Sequence, residues 1–348
     1  MHMADALLSP AVGGVMLAAT AGIAAYSIKK VQNDPDPKKV PLMGVMGAFV
    51  FAAQMVNFSI PGTGSSGHLG GGLLLAILLG PYAGFLTMAS ILIIQALFFA
   101  DGGLLALGSN IFNLGFFTCF LAYPLIYKKI VGKEHSSKRI LLASMVAAVV
   151  GLQLGAFGVV LETFFSGKTE LPFGTFVLLM QPIHLAIGIV EGLVTAAVIS
   201  FVWKARPEIL EKAALNQTLG NLSIKKVMIG LAAIAVFTGA VLSWFASSHP
   251  DGLEWSMFRT SGKEELETVN AAHEKLAAVQ GKTAFLPDYN FIKSERVAPA
   301  GEPTEDKWPA VSAGTSLSGL VGGAMTLLLA AFMGLMINIR KRKVVADK

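Results

Sequence analysis

Of the chain's 348 residues, 54% are hydrophobic and only 14% charged. Several apolar runs reach 18 residues or more, beyond what a water-soluble core requires, which identifies an integral membrane protein. Lysine plus arginine exceed aspartate plus glutamate by 27 − 22 = 5, an excess that speaks to membrane topology before any nucleic acid.

The first ten residues hold Asp5 and no basic residue. The charged start of a signal peptide is therefore missing, and the amino terminus is expected to persist, with Met1 retained before the bulky His2. Apolar segments at 10–28, 41–60, 69–82, 83–100, 104–127, 140–163 and 173–203 predict spans of about 20 residues. The third is short and glycine-broken and reads as tilted or partly re-entrant. Two more spans are expected at 227–246 and 314–339. The expected fold class is an all-α membrane protein: a polytopic helical bundle of about seven spans, then a carboxyl-terminal two-span unit with a long outer loop over 247–313.

The basic residues orient this scheme. Lys29, Lys30, Lys38 and Lys39 fall in the first connection; Lys128, Lys129, Lys133, Lys138 and Arg139 in the fifth; Lys204, Arg206, Lys212, Lys225 and Lys226 in the seventh; Arg340, Lys341, Arg342, Lys343 and Lys348 in the tail. They share one side if 69–100 crosses twice, and the short connections opposite then hold only Lys168. Positive charge favours the cytoplasmic face, so the amino terminus is expected outside and the carboxyl terminus inside. The charged stretch 204–225, with Pro207, is the expected linker between a membrane domain over 1–203 and a second unit over 226–348. In the outer loop, Gly262 to Gln280 suits a short surface helix and the proline-rich 297–309 an irregular path. Cys119, in an apolar run, reads as packing, which leaves no disulfide framework and no cysteine-based zinc site.

Met1 and His2 together offer a divalent metal an unusual donor set. The amine of Met1 and the backbone nitrogen of His2 close a five-membered ring; that nitrogen and His2 Nδ1 close a six-membered one. A fourth nitrogen from His68 completes a square-planar set, which suits Ni(II) or Cu(II) and disfavours Zn(II), Mg(II) and Ca(II). Between Gly62 and Gly72, six of eleven residues are glycine, so the backbone around His68 can wrap closely around an inserted chain end. The glycine spacing from Gly62 to His68 mimics a phosphate-binding loop, but His replaces its Lys and no strand is expected before it. An exposed terminus and an ordinary loop histidine is the competing reading of His2 and His68.

Met1-His-Met-Ala-Asp-Ala-Leu-Leu-Ser-Pro10, the glycine loop ending in His68, and Gln95-Ala-Leu-Phe-Phe-Ala-Asp-Gly-Gly-Leu-Leu-Ala-Leu-Gly-Ser-Asn110 resemble the CbiM/NikM family. Its members are substrate-binding components of energy-coupling factor transporters for cobalt and nickel. The resemblance covers residues 1 to about 203. It implies metal binding by the Met1 amine, the backbone and side-chain nitrogens of His2, and His68. It also implies Ni(II) or Co(II) as transported substrate, no bound organic cofactor, a coupling partner in the bilayer resembling CbiQ/NikQ, and ATPase subunits resembling CbiO/NikO. The setting it implies is a prokaryotic plasma (inner) membrane. His249-Pro-Asp-Gly-Leu-Glu254-Trp-Ser resembles the motif of the small CbiN/NikN subunit, which would make the chain a fused protein.

Gln95, Asp101, Ser109, Asn110 and Asn113 are costly in lipid and are expected to face protein or the outer mouth. They either orient the terminal loop, with Asp101 favoured for an imidazole N–H, or join helices without a metal role. Asp5 either holds the entering segment or caps the first helix. His184 and Glu191, two turns apart on one helix, read as a relay, a packed pair, or a partner contact. Gly188 and Gly192 favour close helix packing there, while the small faces Gly44/Ala48/Ala52, Ala18/Gly22 and Ala21/Ala25 suit either a transmembrane partner or internal packing.

No Walker A sequence is present, so ATP hydrolysis is expected on other chains and this one is not expected to be an enzyme. A self-sufficient metal channel or secondary carrier would need ligands at successive depths, for which only His184 and Glu191 are candidates. An intramembrane metalloenzyme would need a motif such as His-Glu-x-x-His, which is absent.

Overall fold

The computed structural model describes residues 2–33, 36, 38–132, 136–215, 217–220, 222–263, 266, 270–292 and 308–346. The protein is an all-α polytopic membrane protein. Among the described residues, six helices are long and apolar enough to cross a bilayer: α1 (Pro10–Asn33), α4 (Pro81–Phe99), α5 (Leu107–Val131), α6 (Ser137–Phe165), α7 (Phe173–Ala205), and α12 (Ala313–Ala346) over Ala313–Ile337. The apolar α2 (Lys39–Gln54) and α9 (Lys225–Ala240) have 16 residues each. α3 (Gly72–Leu79) has 8, or about 12 Å of helix, less than half of a hydrocarbon core about 30 Å thick. A short α8 (Pro207–Ala214) follows α7 in the charged connection.

The second apolar run does not continue as helix to residue 60. Pro61 disfavours helical backbone in the residue before it and cannot donate to a ladder. The chain instead forms a hairpin, β1 (Phe58–Ile60) antiparallel to β2 (Ser65–Gly67), with Phe58 opposite Gly67. Gly62 and Gly64, at φ +78° and +74°, make its turn. α3 then enters the protein, and Gly80 (φ +82°) reverses the chain into α4, whose first residue is Pro81.

α6 and α7 pack closely. A Cβ on Gly188 would lie 2.9 Å from Cα of Val149, and one on Gly192 2.7 Å from Cα of Met145, so both glycines serve backbone approach. The carboxyl-terminal helices α9 and α12 lie against α2. Gly44 and Gly47 of α2 face Leu327 and Thr326 of α12, so this small-residue face is used inside the chain. Gly22 of α1 has no such neighbour within 4 Å.

Among the described residues of the connection between α9 and α12, two α-helices form: α10 (Gly252–Ser261) and α11 (Ala271–Thr283), the latter capped by Asn270 accepting from Ala272 N–H. The stretch expected to be one surface helix thus holds α11 only in its second half, and Glu264, Glu265 and 267–269 lie outside the described residues. So do 293–307, most of the stretch expected to be irregular.

Candidate metal centre

The first residues are built into the protein. Met3 is fully buried; its N–H donates to Asn110 Oδ1 at 2.7 Å, and its carbonyl accepts from Asn110 Nδ2 at 3.1 Å and from Gly103 N–H at 2.9 Å. Asp5 accepts from Ala106 N–H at 3.0 Å, and burial raises its pKa above the usual value. Asp5 therefore holds the entering segment, while Ser9 accepts from Val12 N–H at the start of α1. Together these contacts fix where His2 stands. Met1, the first expected ligand, lies outside the described residues.

His2 and His68 meet. Their rings stack with centroids 4.8 Å apart and planes 8° from parallel. His2 Nδ1 lies 3.0 Å from Asp101 Oδ1, and the other Asp101 oxygen accepts from the Tyr289 hydroxyl. Burial works to raise the Asp101 pKa, but His2 and the Tyr289 hydrogen bond outweigh it and bring it to about 2. Burial pushes His68 down to about 3, which keeps its imidazole neutral, as a metal ligand must be. His68 Nδ1 is 3.1 Å from the Leu69 carbonyl. A carbonyl only accepts, so Nδ1 carries the proton and Nε2 the lone pair. That Nε2 faces Asp251 Oδ2 at 3.9 Å.

The glycine loop is held from below. Glu191 on α7 accepts from Gly70 N–H at 2.7 Å and from Gly71 N–H at 3.1 Å, one on each oxygen. Gln54 Nε2 donates to the Gly70 carbonyl at 2.9 Å, and Gln95 Nε2 donates to Gln54 Oε1 at 2.9 Å. Gln95 thus acts on the loop through Gln54. His184 does not join Glu191: its Nδ1 lies 2.8 Å from the Met180 carbonyl on its own helix. Asn113 donates to Glu162 at 3.0 Å, joining α5 to α6 away from the loop.

The second unit covers the site. Ser66 N–H donates to the Pro250 carbonyl at 2.8 Å, Ser66 Oγ to the His249 carbonyl at 2.8 Å, and Trp255 Nε1 to the Thr63 carbonyl at 3.0 Å. His273 Nε2 lies 2.9 Å from the Leu8 carbonyl, and Gln280 donates to the Gly102 carbonyl at 2.7 Å. Asp251, Tyr289, His273, Gln280 and Gln54 escape the sequence reading. Asp251 had one legible signal, since Asp251-Gly-Leu-Glu254 has the spacing of a helix-capping box, and both of its reciprocal bonds form.

A cavity of about 620 Å³ opens here, lined among others by His2, His68, Asp101, Asp251, Glu254 and Tyr289. Among the described residues, no three His, Cys, Asp or Glu side chains are grouped to hold a metal ion.

Residues 2–209 match the family described as the cobalt uptake substrate-specific transmembrane region (CbiM), and residues 225–339 match the PDGLE domain. A chain of Archaeoglobus fulgidus named for fused nickel transport, NikMN, is 33% identical over 331 residues, 94% of this chain and 96% of that one. The fused nickel transport protein NikMN of Rhodobacter capsulatus is 32% identical over 60% of this chain and 64% of its own. The cobalt transport protein CbiM of Sorangium cellulosum is 28% identical over 61% of this chain and 95% of its own. The crystal structure of a transition metal transporter, 31% identical, aligns with 62% of this chain and 99% of its own at a TM-score of 0.53. The chain therefore belongs to the CbiM family of membrane components for nickel and cobalt transport, with a PDGLE domain at its carboxyl end.

Proposed function

We propose that this chain is the substrate-specific component of an ATP-dependent uptake transporter of the energy-coupling factor type. It captures Ni(II) or Co(II) through the Met1 amine, the backbone and Nδ1 nitrogens of His2, and His68, in a square-planar set. One observation carries the reading: the second residue of the chain lies with its imidazole against that of His68, 4.8 Å between centroids. An ordinary loop histidine and a loose terminus have no reason to meet. As placed, His2 Nδ1 faces Asp101, so capture in this mode turns the ring about its Cβ–Cγ bond and releases that hydrogen bond. The backbone amide must also lose its proton, which the metal drives.

ATP hydrolysis belongs to separate subunits resembling CbiO/NikO, coupled through a membrane partner resembling CbiQ/NikQ. The amino terminus lies outside the plasma membrane and the carboxyl terminus in the cytoplasm. Release is mechanically simple, because three of the four donors sit on a short terminal segment that can withdraw from the loop. A self-sufficient channel is the poorer reading, since Glu191, one of its two candidate ligands, already holds two loop amides.

The test is a single residue added before Met1. It converts the amine to an amide and moves His2 to third place, altering both chelate rings. Uptake of radiolabelled nickel and cobalt by cells should fall severely, while a carboxyl-terminal tag is harmless. Full uptake with the blocked terminus would refute the ligand set.

A further inference from the structure

We infer that the cavity lined by His2 and His68 is an acidic antechamber, with Glu254 and Asp288 at its mouth, which gathers the hydrated divalent ion by its electric field before any ligand replaces water. This rests on the nickel and cobalt reading above and adds the step before coordination.

The first observation is charge. Asp5, Asp101, Asp251, Glu254 and Asp288 line the cavity, and among the described residues around it none is lysine or arginine. Glu254 and Asp288 are exposed, whereas the side chains of Asp101 and Asp251 are 22% and 14% exposed. The carboxylates thus run from the rim inward to the two imidazoles, with Asp101 Oδ1 3.0 Å from His2 and Asp251 Oδ2 3.9 Å from His68.

The second observation is a ring nitrogen. His2 lines the same cavity with its side chain only 7% exposed, and its Nε2 has no hydrogen-bond partner among the described residues. A sheltered acceptor without a partner, at the inner end of a negatively charged space, points to a cation. Among the described residues no three His, Cys, Asp or Glu side chains are grouped to hold a metal ion, and none needs to be, because a field acts on a hydrated ion through its water. Size agrees. An ion with a shell of about six waters fills about 180 Å³, at about 30 Å³ per water, and the cavity has about 620 Å³. A cleft of one charge sign with low-dielectric walls raises the local concentration of counter-ions and their association rate by about 10 to 10³-fold. Divalent ions such as nickel shed water slowly, so the rate of capture follows how often a hydrated ion stands beside His2 and His68. The antechamber multiplies that occupancy.

The experiment is stopped-flow mixing of nickel(II) chloride with the full chain in phosphatidylcholine nanodiscs, at several potassium chloride concentrations, with release read by chelator competition. The variants are Glu254→Gln, Asp288→Asn, the two together, and Glu170→Gln as a control for an exposed charge that does not line the cavity. Glutamine keeps an acceptor for the Asp251 N–H, which Glu254 Oε2 accepts at 3.0 Å, and asparagine tolerates the left-handed φ of +51° at residue 288. The double variant should capture nickel about tenfold more slowly, with release and the control variant unchanged, and added salt should slow it less than it slows the unmodified chain. Magnesium chloride, whose ion the nitrogen set disfavours, should slow capture by the unmodified chain more than potassium chloride of equal ionic strength. Equal capture rates and salt dependence in the double variant and the unmodified chain would overturn the inference, as would a loss of affinity carried wholly by faster release. Should the double variant lose its helical circular dichroism, the magnesium comparison decides on the unmodified chain, and no excess over potassium overturns the inference. The ligand reading fails separately, if His2→Ala binds nickel as tightly as the unmodified chain.

Discussion

Asp251 divides its two carboxylate oxygens between two tasks. Oδ1 accepts from the N–H groups of Leu253 and Glu254, both at 2.8 Å, and so caps α10. Oδ2 stands 3.9 Å from His68 Nε2. Burial works to raise its pKa, but nearby positive charge and the Glu254 N–H hold it below the usual carboxylate range. The cap therefore fixes a negative charge beside the histidine of the glycine loop. Because the motif is on the same chain as the loop, that charge is supplied at high effective concentration.

Asp251→Asn separates the two tasks. The asparagine oxygen keeps the cap, for which Asn is as good as Asp, while an uncharged amide replaces Oδ2. Nickel affinity measured by calorimetry should fall by about tenfold, or about 1.4 kcal/mol, with thermal stability nearly unchanged. Unchanged affinity would reduce Asp251 to a helix cap.

Glu191 supports the loop through backbone amides. Glu191→Gln leaves one acceptor for two N–H groups, stranding one at a cost of about 1–3 kcal/mol; Glu191→Ala strands both. Thermal unfolding in detergent should show the alanine variant as the less stable, and both should bind nickel more weakly because Gly70 and Gly71 adjoin the segment that carries His68. Retained affinity in both would mean that His68 is positioned by the hairpin alone.

Gly71 combines two demands. Its φ is +77°, and a Cβ would lie 2.5 Å from Val50 Cγ1. Left-handed backbone costs an alanine about 1–2 kcal/mol, and the clash adds about 1–3 kcal/mol of overpacking. Gly62 has a similar φ, +78°, with nothing within 4 Å of its Cβ position, so Gly62→Ala carries only the first cost. Gly71→Ala should therefore unfold at a clearly lower temperature than Gly62→Ala, and equal midpoints would show that the loop relaxes away from Val50.

The long helices were legible because apolar runs of about 20 residues have few uses other than crossing lipid. The hairpin was not, since Phe58-Ser59-Ile60 extends an apolar run and only Pro61 marks its end. His2, His68 and Asp101 announced themselves as costly or unusual side chains, and the structure brings the three together. Glu191 was visible as a buried carboxylate, but its partners were not, because backbone N–H groups leave no trace in a sequence. Asp251 and Tyr289 were hidden for another reason: each reaches the site from the far half of the chain, and nothing local to either residue records that contact.

A chain ending near residue 220 tests how much of the site the second unit supplies. Truncation removes Asp251, the Tyr289 hydroxyl on Asp101, and the His273 and Gln280 contacts to the amino-terminal segment and the neighbouring loop. It leaves the Asn110 clamp on Met3, the Asp5 bond to Ala106, the His2 and Asp101 pair, and the Glu191 cradle. The proposed nitrogen donors all lie in the part retained, so a folded truncated chain should still bind nickel in detergent. It should bind about tenfold or more weakly, chiefly through faster release, because the cover over the cavity is gone. Calorimetry with stopped-flow chelator competition reads both quantities. A folded truncated chain that binds no nickel would show that the ligand set extends into the second unit. Unchanged affinity and release would show that the cover does not retain the ion, and its role would then lie in transport steps after capture.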